Sequence, residues 1–85
     1  MRWNLELTDT FGGEANYSWV NRFIVSASSP RGAMRKVCNV TRDTVRDSGC
    51  ERWDSTGGGV CYFIEQVDAE MAQSMKDNYS RIEVL

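Results

Sequence analysis

The sequence predicts an α+β fold, one small domain in which an antiparallel sheet of four to five strands carries one main amphipathic helix on one face. Three observations point there. Residues 3–7 alternate apolar and polar side chains with the period of a half-buried strand. Ser29-Pro30 opens a stretch whose apolar residues recur at three-to-four spacing. Val60-Cys-Tyr-Phe-Ile-Glu-Gln-Val67 is rich in the β-branched and aromatic residues that fill sheets. With 85 residues, 41% of them hydrophobic and 11% aromatic, the chain is long enough for one domain with a modest core and too apolar for a disordered segment.

In the first strand Trp3, Leu5 and Leu7 share the core face, and Asn4, Glu6 and Thr8 the other. The second strand, Tyr17 to Ser26, has Tyr17, Trp19, Phe23 and Val25 on one side and Val20 and Ile24 on the other, which suits a central position. Between them Asp9-Thr-Phe-Gly-Gly-Glu-Ala-Asn16 is longer than a two-residue turn. It is expected to project as an ordered loop with Gly12 or Gly13 at positive φ.

Ser29 is suited to cap a helix and Pro30 to occupy its first position, so a helix is expected from about Pro30 to Thr41. Ala33, Met34, Val37, Cys38 and either Val40 or Thr41 form its apolar stripe; Arg31, Arg35, Lys36 and Arg42 lie off it. Asp47 to Ser55 and Val60 to Val67 read as a hairpin turning at Gly57-Gly58-Gly59. Asp68 then caps a short helix, Ala69 to Tyr79, and Arg81-Ile-Glu-Val-Leu85 ends the chain as an edge strand with Ile82 and Val84 inward. The expected order is β-β-α-β-β-α-β.

Function is less legible. Cys38, Cys50 and Cys61 are odd in number, have no Cys-x-x-Cys spacing and are accompanied by no histidine, which points to reduced, partly buried thiols and excludes a Cys-His nucleophile pair. Gly57-Gly58-Gly59 leads into a strand without the Lys-Ser or Lys-Thr of a phosphate loop. No nucleophile, base and orienting group come together, so the expectation is a non-enzymatic protein with no catalytic, cofactor-binding or metal-binding residues. No apolar run reaches the length of a membrane span and none resembles a signal peptide, so a cytoplasmic protein is expected.

Charge is divided. Residues 31–46 hold Arg31, Arg35, Lys36, Arg42 and Arg46 against Asp43 alone, a balance of +4; residues 47–77 hold seven acidic and two basic side chains, a balance of -5. An acidic half suits docking to a basic groove, whereas the helix cations suit phosphates. The candidate protein-binding residues are Asp9, Phe11, Glu14, Asn16 and Tyr17 in the first loop, Trp53 as an exposed aromatic anchor, and Asp54, Glu65 and Asp68. The alternative, a small nucleic-acid-binding accessory protein, would use Arg31, Arg35, Lys36 and Arg42. A homodimer paired through the edge strand 81–85 is a third arrangement, leaving monomer or homodimer open.

Leu7-Thr-Asp-Thr-Phe-Gly-Gly-Glu-Ala-Asn-Tyr-Ser-Trp-Val20 resembles the opening of a family of small, mostly uncharacterised phage and prophage proteins. Ser28 to Val37 and Val60 to Glu65 share the resemblance more loosely. It implies a phage or mobile-element origin. Compact proteins of such elements include inhibitors of bacterial defence, anti-CRISPR proteins among them, so the expected partner is a subunit of a CRISPR effector complex whose DNA binding is blocked.

Overall fold

The computed structural model describes the backbone of residues 1–85 and the side chains of all but Ser18 and Trp19, so the expectation of Trp19 in the core lies outside the described residues. Six strands and two helices follow the order β1 (Arg2–Phe11), β2 (Glu14–Ser26), α1 (Pro30–Thr41), β3 (Val45–Gly49), β4 (Arg52–Ser55), β5 (Val60–Val67), α2 (Ala69–Asn78) and β6 (Ile82–Val84). The strands form one sheet in the order β3-β4-β5-β1-β2-β6.

This is the α+β class expected, with corrections to the number, direction and register of the strands. The sheet has six strands rather than four or five, because the stretch 47–55 is not one strand. It doubles back between β3 and β4 through Cys50 (φ 51) and Glu51 (φ 61), a left-handed turn built from non-glycine residues. The sheet is mixed rather than antiparallel, because β6 lies parallel to β2. A parallel partner is available to β6 because α2 carries the chain across the sheet before it returns. Val84 is exposed at this edge, and Leu85 packs against the core in its place.

The main core lies between one sheet face and α1. Trp3, Leu5 and Leu7 of β1 stand beside Phe23 and Val25 of β2 and Tyr62 and Ile64 of β5, and Ala33, Met34 and Val37 of α1 close over them. Ser29 caps α1 by accepting from the Gly32 amide at 3.0 Å, and Arg42 ends it at φ 55. Of the two candidates for the last turn, Thr41 faces inward and Val40 is exposed. A second, smaller cluster of Ile24, Val67 and Ala72 seats α2 on the opposite face, so helices cover both sides of the sheet, but only one end of the second side.

The expected loop at 9–16 is instead strand. Gly12 (φ 63) and Gly13 (φ 85) both take positive φ in a two-residue turn, and the ladder continues on each side of it. The extra length is absorbed in a bulge: between the pairs Thr8–Val20 and Thr10–Ala15, β1 advances by one residue, Asp9, and β2 by the four residues 16–19. An odd surplus of three reverses the side to which a residue points. Tyr17 (φ 58) therefore leaves the face of Phe23 and Val25 and stacks on Phe63 of the opposite face, ring centroids 5.8 Å apart.

Candidate interaction face

The face opposite α1 is built from the even-numbered residues of β1 and their ladder partners: Asn4, Glu6 and Thr8 beside Glu65, Phe63 and Cys61 on β5, with Arg52 and Asp54 of β4 and Arg22 of β2 flanking them. Its two ends are covered. At one end α2 sits over Ile24 and Val67. At the other the β1–β2 hairpin bends over the sheet, its tip fastened where Arg52 Nη2 donates to the Gly13 carbonyl at 2.8 Å and its bulge where the Tyr17 amide donates to Thr8 Oγ1 at 2.9 Å. Thr8 and Cys61 are buried beneath it. Between these ends a strip remains open, with half-buried Phe63 at its centre and Glu65 exposed beside it.

Electrostatics along the strip are partly self-satisfied. Arg52 pairs with Asp54 at 2.9 Å, and hydrogen bonds from Ser48 and Arg52 hold the Asp54 carboxyl below the usual carboxylate range. Arg22 lies 3.5 Å from Glu6 and packs its guanidinium over the Tyr79 ring at 3.8 Å. Asn4 Nδ2 donates to Glu6 at 3.4 Å and Glu65 at 3.3 Å. The middle of the strip thus keeps acidic groups beside an aromatic ring, while the cations at its margins are engaged.

The structure divides the candidate residues. Phe11, Glu14 and Tyr17 are exposed on the hairpin, and Asn16 donates to Asp9 at 3.3 Å across the bulge. Tyr17, Asp54 and Glu65 belong to the open face, on three different strands. One residue does not fit the role expected of it. Trp53 is 8% exposed on the α1 side, where it joins the core with Arg31 lying 5.4 Å over its ring. It is a packing residue rather than an exposed anchor, because Trp53 pairs with core-facing Tyr62 in the ladder. Asp68 takes the capping role expected of it, accepting from the Met71 amide at 2.7 Å, and is exposed at the start of α2, away from the open strip.

The helix cations are also divided. Arg31 is taken up by Trp53, and Lys36 Nζ donates to the Ser26 carbonyl at 2.6 Å. Arg35 and Arg42 are exposed, and their side chains have no partner among the described residues. Glu6, Phe63 and Arg22, which complete the open face, were not singled out by sequence reasoning. The signal for Glu6 was present in the polar side of the β1 alternation, but only the strand order places that side beside Phe63 of β5 and Arg22 of β2.

A polar junction beneath the other end of α1 ties the layers together. Tyr62 donates its hydroxyl proton to Asp43 Oδ2 at 2.8 Å, with Thr41 Oγ1 3.2 Å from the same oxygen, and Asp43 Oδ1 accepts from Ser55 Oγ and the Thr44 amide, each at 2.8 Å. Burial and the Asp43 carboxylate push the Tyr62 hydroxyl pKa upward. All three cysteines are free thiols, with Cys50 exposed and Cys61 buried. Among the described residues, no three His, Cys, Asp or Glu side chains are placed to hold a metal, and no helix is long and apolar enough to cross a membrane.

Compared with protein-family models, curated proteins and solved structures, the chain matches none.

Proposed function

We propose that this chain is a non-enzymatic, phage-encoded inhibitor of bacterial defence that binds a CRISPR effector complex through the open sheet face and the hairpin bent over it, blocking the complex from DNA. The observation carrying a protein-binding role is the strip itself: a stacked Tyr17–Phe63 pair bordered by Glu6, Glu51 and Glu65, on a sheet face that the helices leave open. Aromatic groups beside complementary charge are the chemistry that dominates protein interfaces. Acidic groups at the centre favour a cationic partner surface, such as a groove that otherwise holds nucleic acid, and disfavour phosphate. The choice of a CRISPR effector rests on the resemblance of residues 7–20 to phage and prophage proteins. The helix reading is less favoured, since two of its four cations, Arg31 and Lys36, serve internal contacts.

Affinity capture from a bacterial lysate containing active CRISPR effector complexes, with binding to free double-stranded DNA measured in parallel, tests this. Co-purification of an effector that is lost in Tyr17→Ala and Glu65→Lys, without DNA binding, is expected. DNA binding by the chain alone, falling steeply with salt and lost in Arg35→Glu with Arg42→Glu, would replace this reading with the nucleic-acid one.

A further inference from the structure

Beside Phe63 the open strip deepens into a depression of about 190 Å³, bounded by Asn4, Glu6 and Glu65 on the sheet and by Cys50 and Glu51 of the β3–β4 turn. Three carboxylates border it; of the cations nearby, Arg22 lies 3.5 Å from Glu6, and Arg52, paired with Asp54, lies 5.9 Å over the Phe63 ring. The second observation is Asn4. This side chain is 2% exposed and lines the depression, and its Oδ1 is buried with no hydrogen-bond partner. Its Nδ2 meanwhile donates to both Glu6 and Glu65 at the long end of hydrogen-bond distance, 3.4 and 3.3 Å. An acceptor buried without a donor carries the full cost of its desolvation, so the site is short of hydrogen-bond donors as well as of positive charge.

We propose that this depression receives an arginine side chain of the partner protein, seated with its guanidinium between Glu6 and Glu65 and against Phe63. The proposal rests on the reading of this face as a protein interface and names the chemistry it recognises. A guanidinium supplies what the depression lacks: several N–H donors in one plane, a permanent charge, and a flat face that stacks on an aromatic ring. An ammonium would match the charge but offers neither the plane nor the fork for two carboxylates. Phosphate groups are excluded by the three carboxylates. The position of the turn that forms the outer wall is set by Cys50 and Glu51 at positive φ and by the Ile64 amide donating to the Glu51 carbonyl at 3.0 Å, so the wall is part of the ladder and not a loose loop.

The test is an amide and side-chain amide chemical-shift titration of the full chain with N-acetyl-arginine methylamide, with the isosteric but uncharged citrulline compound and the lysine compound as controls. Saturable shifts are expected at the Asn4 side-chain amide and at the backbone of Glu51, Phe63 and Glu65, weakening with added salt. The Glu65→Gln variant should bind the arginine probe about tenfold more weakly. Equal binding of the citrulline or lysine probe would overturn the assignment. So would shifts spread equally over the unrelated carboxylates Glu70, Asp77 and Glu83. Effector capture lost in Glu65→Lys although the arginine probe does not bind would overturn the pocket and leave the interface standing. A bound probe with capture unaffected by Glu65→Lys would support the pocket and overturn the interface reading.

Discussion

Replacing Tyr62 by Phe should lower stability by about 1.5 kcal/mol at neutral pH, and the difference should shrink above pH ~10. The ring is kept, so packing against the core is preserved and the change is confined to one hydroxyl that donates to Asp43 at 2.8 Å and lies 3.2 Å from Thr41 Oγ1. A hydrogen bond to a charged group contributes about 1.5–3 kcal/mol. The lower end applies here, because Asp43 is only half-buried and keeps donors from Ser55 and Thr44. In a domain of this size that corresponds to a fall in Tm of roughly 6–12 °C. The pH dependence has a definite sign. Burial, with the neighbouring Asp43, raises the folded pKa of Tyr62 above its ordinary value of 10.0. The unfolded chain therefore releases this proton first, so the contribution is complete below pH ~10 and is lost as pH rises from there toward the folded pKa. Urea denaturation of both proteins under reducing conditions, followed by tryptophan fluorescence from about pH 8 to about pH 11, measures the gap. A gap that stays constant across that range, or a variant as stable as the parent at neutral pH, would refute the reasoning.

Two further outcomes follow from the same structure. Asp68→Ala should cost about 1 kcal/mol in thermal or urea unfolding, whereas Asp68→Ser, which keeps a capping oxygen and removes the charge, should retain most of that stability; both should leave partner capture intact. In the folded protein Cys50 should react with Ellman's reagent well before Cys38 and Cys61, whose pKa values are raised chiefly by burial, and all three should react once the chain is denatured.

The candidate site was legible only in part. The hairpin residues were found because an unusual concentration of polar, aromatic and glycine residues lies at 9–17. Their arrangement was not, because a two-glycine turn combined with a bulge uses the same residues as an open loop would, and only the ladder distinguishes them. Trp53 was misread for a related reason. Between Arg52 and Asp54 it has polar neighbours, yet in a strand neighbours point to the opposite face, and pairing with Tyr62 directs it into the core.

Local signals in the chain were sufficient for the α+β class, for both helices and their caps at Ser29 and Asp68, and for the core alternation of Trp3, Leu5 and Leu7. These depend on contacts within a few residues, on side-chain period and on capping chemistry, all of which are written in order along the chain. Three features required the tertiary structure: the β3–β4 turn through non-glycine Cys50 and Glu51, the parallel docking of β6, and the face to which Tyr17 points. Each depends on which strand lies alongside and in what register. The open face joins Glu6 of β1 to Phe63 and Glu65 of β5, residues close in space and more than fifty apart in sequence, so it exists only after the sheet has assembled.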